Sequence, residues 1–109
     1  MEMKFNSQIC TTREQSERLL ALGLKKETAD FPVWGTEKLL YMGWSLHRLI
    51  EMIQHDFLRV NLCGYWVHIE RLVYHEEYCA DTHNNLYDNI IDAIEWLIKE
   101  EYFNNEYLV

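Results

Sequence analysis

The sequence predicts an α+β fold: a small antiparallel sheet with about three helices packed on one face. Two alternating apolar runs, Phe57–Cys63 and Tyr65–Ile69, are separated by Gly64, which predicts a β-hairpin. Apolar residues recur at helical spacing after Ser45 and again from Tyr87 to Ile98, which predicts two amphipathic helices. These periodicities together indicate a mixed fold with one apolar core.

Each predicted helix has a start signal. Thr11, with Glu14 three residues later, has the pattern of a capping box, and Gly23 is a favourable end for the helix that follows. Ser45 is the predicted N-cap of the second helix, and Asn85 is that of the third. The helices therefore have boundaries that can be checked against the structure.

The remaining strands are predicted from shorter signals. Lys38–Met42 is a short apolar run and predicts a strand. Leu72–Cys79 has two interpretations, because it alternates like a strand but also continues a helical spacing from Ile69. The alternation favours a third strand beside the hairpin.

The charge is distributed unevenly along the chain. It has 109 residues, which fits a single domain over 1–109, and a formal net charge of −8. Residues 1–69 balance eight acids with eight bases, whereas residues 70–109 have ten acids and only Arg71 and Lys99 as bases. This excess of acids in the last 40 residues argues against binding to nucleic acid. It is typical of a protein that binds a basic partner, or of an acidic face exposed to solvent.

Other sequence features limit the cellular location and the cofactors that we expect for this protein. The N-terminal residues include no apolar stretch of a signal peptide, and no apolar run approaches the roughly 18 residues of a membrane span. The cysteines, Cys10, Cys63 and Cys79, are odd in number and form no CxxC pair, which is typical of reduced thiols. No phosphate-binding or dinucleotide-binding motif is present. We expect a cytoplasmic protein without a cofactor, a membrane partner or direct contact with nucleic acid.

One segment approaches a zinc-protease motif. His75-Glu76-Glu77-Tyr78-Cys79 differs from HExxH at its last position, and His83 follows four residues later. On a helix the side chains of His75, Cys79 and His83 would lie about 6 Å apart on one face and could share a zinc ion. On a strand they would be about 13 Å apart in succession, too far for one ion. The strand interpretation therefore predicts no metal site, and a small zinc hydrolase is the alternative.

A second segment approaches the nucleophile elbow of serine hydrolases. Gly43-Trp44-Ser45-Leu46-His47 lacks the final glycine of GxSxG, and Ser45 is already predicted to cap a helix. We therefore assign no catalytic residue and expect a protein that is not an enzyme.

The acidic face of the last predicted helix is the remaining functional signal. Asp88, Asp92 and Glu95 lie opposite the apolar stripe, where a solvated helix back is the ordinary interpretation. The alternative is that they imitate a row of phosphates, so that the protein inhibits a nucleic-acid enzyme. Trp96 lies beside this face, as an interface anchor would. The residues predicted to contact a protein partner, which could be a second copy of the chain, are Trp66, Asp88, Asp92, Glu95, Trp96, Tyr102 and Tyr107.

Three stretches resemble a family of short, functionally uncharacterised proteins of gut anaerobic bacteria and their phages or prophages. They are TTREQSERLLALGLKKETADF at 11–31, WSLHRLIEMI at 44–53 and YDNIIDAIEWLIKEEYFNNEYL at 87–108. The resemblance includes no catalytic motif, so it implies a phage-like or mobile-element origin and not an activity. Two features depart from what this resemblance implies. Residues 31–43, before the Trp-Ser pair, form a shorter segment than in the family, and Glu101 follows the last helix where a glycine is expected from the family.

Overall fold

The structure, a computed structural model, describes residues 8–55, 57–73 and 75–109. The helices are α1 (Arg13–Ala21), α2 (Leu46–Ile53) and α3 (Leu86–Lys99). The strands are β1 (Phe31–Trp34), β2 (Leu39–Gly43), β3 (Leu58–Cys63), β4 (Trp66–Arg71) and β5 (Glu76–Ala80). Helices and antiparallel strands together confirm the predicted α+β class.

Strands β3, β4 and β5 form one antiparallel sheet in that order. The predicted hairpin is confirmed: Cys63 pairs with Trp66 across a turn in which Gly64 has a φ of 59°. The third strand is also present, but it begins at Glu76, four residues later than predicted. Leu72 and Val73 lie in a turn instead, and the chain enters β5 through His75 with a positive φ of 53°.

Strands β1 and β2 form a separate two-stranded sheet, so the strands divide into two sheets instead of one. The strand predicted over Lys38–Met42 is confirmed as β2. Strand β1 was not predicted, because Pro32 stands within it and proline weakens a strand signal. Pro32 lies opposite Met42 in the register.

The core is built around α3, which covers one face of the three-stranded sheet through β4 and β5, while α1 and α2 pack against α3. The largest fully buried apolar side chains come from all three helices, from β4 and from two connecting segments: Leu19, Leu24, Trp44, Leu49, Ile53, Val67, Ile69, Ile90, Ile91, Ile94 and Leu97. The three helices and the three-stranded sheet thus share one apolar cluster. No helix in the described part of the chain is long and apolar enough to cross a membrane.

The helix caps follow the sequence closely, with one shift. The hydroxyl group of Ser45 and the side-chain oxygen of Asn85 accept backbone hydrogen bonds at the starts of α2 and α3, as predicted. The capping box of α1 is formed by Thr12 and Gln15, one residue later than predicted. The hydroxyl of Thr11 instead accepts a hydrogen bond from the backbone N–H of Trp44 and bonds to the hydroxyl of Ser16. Gly23 follows α1 with a φ of 106°, which confirms the predicted end.

Candidate functional site

The three candidate zinc ligands lie on different elements. His75 is in the turn before β5, Cys79 is on β5 opposite His68, and His83 is in the loop before α3. The His83 ring instead lies 2.9 Å from a carboxylate oxygen of Asp92. No group of three histidine, cysteine or acidic residues in residues 8–55, 57–73 and 75–109 could hold a metal ion.

The acidic residues of α3 do not form a solvated helix back, because α1 packs against them. Arg18 donates to Asp92 at 2.6 Å and to Glu95 at 3.0 Å. Asp88 accepts from the Gln15 amide at 2.8 Å. Burial alone would lower the pKa of Arg18, but its hydrogen bonds to the two carboxylates raise it. This face therefore joins two helices and its charge is partly neutralised.

Trp96 and Tyr102 belong to a packed aromatic group. Trp96 stacks on Tyr78 with ring centroids 4.8 Å apart, and Tyr102 meets Trp96 edge-on at 5.7 Å. The hydroxyl of Tyr102 donates to Glu76 at 2.7 Å, and Arg71 lies 3.9 Å from the centre of the Tyr102 ring. The hydrogen bond from Tyr102, with one from Arg71, lowers the pKa of Glu76.

The other two predicted contact residues differ in exposure. Tyr107 is half-buried, with its ring tilted against Phe103 at 5.9 Å. Trp66 is 54% exposed and begins β4 on the side of the sheet away from α3. Among the predicted aromatic contacts, Trp66 is thus the ring most accessible to a partner.

One apolar surface feature was not among the predicted sites. It is a groove between α1 and β2, with a cavity volume of about 390 Å³, which we call the α1–β2 groove. Its lining residues are Arg13, Ser16, Glu17, Leu20, Lys26, Ala29, Leu39, Leu40, Tyr41, Met42 and Trp44. A sequence signal for it exists in the hairpin β1–β2, which is apolar on both of its faces and does not alternate.

One edge of β2 faces this groove with unpaired backbone groups. Proline has no N–H, so the pair Pro32–Met42 must occupy a non-hydrogen-bonded position of the ladder. The N–H and C=O of Met42 therefore point away from β1. No hydrogen bond from another described residue reaches either group.

The two neighbouring outward positions on this edge already have partners. The carbonyl of Trp44 accepts from the backbone N–H of Thr11 at 3.0 Å. The carbonyl of Leu40 accepts from the guanidinium of Arg13 at 3.4 Å, a long and weak bond. The backbone groups of Met42 are thus unpaired, whereas the carbonyl of Trp44 on one side has a firm hydrogen bond and that of Leu40 on the other side has a weak one.

The rim of the groove includes two cations and one carboxylate. Arg13 lies 5.5 Å from the centre of the Tyr41 ring, and Lys26 follows α1. Glu17 lies on the same face of α1 as Arg13. None of these three forms an ion pair with another residue in the described ranges. The groove thus has a small positive excess in a chain of net charge −8.

Compared with protein-family models, with curated proteins and with solved structures, the chain matches none of them.

Proposed function

We propose that this protein is a non-catalytic protein-binding module that holds an extended segment of a partner protein in the α1–β2 groove. The observation that carries the proposal is the open backbone position at Met42, which lies in an apolar groove. An added strand forms main-chain hydrogen bonds to a free sheet edge, and apolar pockets select its side chains. The groove combines both requirements.

The exposed apolar surface of the hairpin supports this proposal. Trp34 is 65% exposed, and Leu39, Leu40 and Met42 are 44%, 43% and 37% exposed. A two-stranded sheet is marginal in water without a covering element, and contiguous exposed apolar surface marks interaction sites. A bound segment would cover Leu40 and Met42 at once. The outer edge of β1 is a poorer site, because Pro32 removes its central donor.

The other hypotheses from the sequence have less support from the geometry. An acidic inhibitor of a nucleic-acid enzyme would present free carboxylates, whereas Asp92 and Glu95 are bound to Arg18. A zinc hydrolase would need at least three ligands close enough to share one ion, and the described residues contain no such group. The phage-like kinship and the cytoplasmic location stay predictions from the sequence.

The proposal can be tested by titrating short, end-blocked peptides of alternating valine and threonine into isotopically labelled protein. Backbone amide resonances of Leu40 and Met42 should shift in a saturable way, because the peptide pairs with this edge. Met42→Pro should abolish the shifts, since it removes the outward N–H without breaking a bond to β1.

The control is Trp66→Ala, which removes an exposed ring outside the groove. It should leave peptide binding unchanged. Saturable shifts confined to the surroundings of Trp66 would place the binding surface on the other sheet, and no shift with any peptide would contradict the proposal.

A further inference from the structure

We infer that the partner segment carries a carboxylate beside its apolar residues, and that this carboxylate draws Arg13 away from the carbonyl of Leu40. This inference rests on the proposed function of the groove and names the chemistry of its occupant. It also gives Arg13 a role in exposing the edge of β2. The occupant is an acidic, apolar, extended peptide segment.

The position of Arg13 is the first step of the argument. Its guanidinium donates to the Leu40 carbonyl across 3.4 Å and lies over the Tyr41 ring, so a neutral acceptor and an aromatic face hold it. A carboxylate is a much stronger acceptor for a guanidinium than a carbonyl at that distance. The guanidinium of Arg13 would therefore exchange the carbonyl of Leu40 for the carboxylate of an acidic ligand.

The consequence for the sheet edge is the second step. When Arg13 turns to a carboxylate, the carbonyl of Leu40 loses its partner and can accept from the N–H of an added strand. Leu40, which has no opposite residue in the β1–β2 register, would then offer its carbonyl beside the open groups of Met42. Binding of the acid and pairing of the backbone would support each other.

Charge complementarity is the third step. The described groups on the rim are Arg13, Lys26 and Glu17, a net single positive charge. The three arginines with carboxylate partners in the described ranges, Arg18, Arg48 and Arg71, lie outside the groove. Neither Arg13 nor Lys26 forms an ion pair with a described residue, Glu17 included, so both cations can receive a carboxylate from a partner, and a basic segment would be repelled.

The test compares peptides that differ only in one residue beside the alternating valine–threonine core: glutamate, glutamine or lysine. We expect the glutamate peptide to bind wild-type protein about fivefold to tenfold more tightly than the glutamine peptide at low salt. The lysine peptide should bind most weakly. The advantage of glutamate should decrease in high salt, because the pair is exposed.

Two variants decide whether Arg13 is responsible. Arg13→Gln removes the charge, and it should make the glutamate and glutamine peptides bind equally while the glutamine peptide still binds. Lys99→Gln removes an exposed cation outside the groove and should preserve the preference. Circular dichroism and thermal melts establish that both variants are folded.

The failures are distinguishable. Equal affinity of wild-type protein for glutamate and glutamine peptides overturns this inference and leaves the proposed function standing. Absence of binding by every peptide overturns both. Concentration-dependent shifts at Met42 without peptide, together with dimers in light scattering, would make a second copy of the chain the occupant and overturn the peptide inference.

Discussion

Glu101 has a positive φ of 62°, in the left-handed region that favours glycine. It follows the C-cap of α3, where the N–H groups of Glu101 and Tyr102 bond back to the carbonyls of Ile98 and Leu97. This is the Schellman arrangement. A glycine at this position would adopt the same conformation without strain.

Glu101→Gly should therefore stabilise the protein by about 1 kcal/mol, because the strained backbone conformation costs glycine nothing. Chemical denaturation of both proteins measures the difference. The matched control is Glu100→Gly. Glu100 has a right-handed backbone conformation, so a glycine there should destabilise the helix end. If Glu101→Gly lowers the denaturation midpoint, the left-handed conformation at this residue is wrong.

Glu76 gives the stability a dependence on pH. The hydrogen bond from Tyr102, with that from Arg71, lowers the pKa of Glu76 below its ordinary value of 4.5. A carboxyl group whose folded pKa is depressed stabilises the fold above its unfolded pKa, and that contribution is lost as the pH falls through the folded pKa. We expect stability to fall in acid, below about pH 4.5, in part through this residue.

Glu76→Gln should flatten that acid limb, and unfolding curves measured across the acidic range will show it. Glu37→Gln, in the exposed turn between β1 and β2, is the control and should leave the pH profile unchanged. Identical acid limbs for wild type and Glu76→Gln would exclude a role for the Tyr102 contact.

At the scale of elements, α1 and α3 are joined by a polar contact that the helical pattern alone does not reveal. Asp92 lies opposite the apolar stripe, yet Arg18 binds it from α1 and His83 approaches it from the preceding loop. Its side chain is 20% exposed. The helix thus buries an apolar face against the sheet and uses its acidic face against another helix.

Truncations along α3 should follow the order of these contacts. Ile94→Ala should cost about 2–5 kcal/mol, because it leaves a cavity in the core. Asp92→Ala should cost about 1–2 kcal/mol, because the partly exposed Arg18 loses its main partner. Glu100→Ala, on an exposed residue, should stay within about half a kcal/mol. Denaturant midpoints test the order, and equal values for Asp92→Ala and Glu100→Ala would contradict the α1–α3 contact.

At the scale of the whole molecule, the two sheets differ in how they are supported. The three-stranded sheet lies on α3, whereas the hairpin β1–β2 packs mainly against α1. Elements with few buried apolar contacts open locally at lower free energy than the core. The proposed binding element is therefore the less stable part of the fold.

Hydrogen exchange should show this difference. The amides of Val33 and Tyr41, which pair within the hairpin, should exchange faster than those of Ile69 and Ile91 in the core. A bound peptide should slow exchange in the hairpin and leave the core unchanged. Equal protection in the free protein would show that the hairpin is as stable as the core.

Local chemistry in the sequence was enough to predict the α+β class, the hairpin across Gly64, the caps at Ser45 and Asn85 and the end of α1 at Gly23. Caps, turns and periodic apolar faces depend on neighbouring residues, so a single chain displays them directly. The shift of the α1 cap to Thr12 came from a contact beyond that range, since Thr11 bonds to Trp44 in the core.

Tertiary structure alone decided the role of each face. The helical pattern could not show that Arg18 would neutralise the acids of α3, or that buried Asn89 would bind the carbonyls of Tyr65 and His83. It also could not predict the α1–β2 groove, because a groove depends on how a helix and a strand distant in sequence lie together. Local sequence determines which elements form, but long-range packing decides which surfaces stay open for a partner.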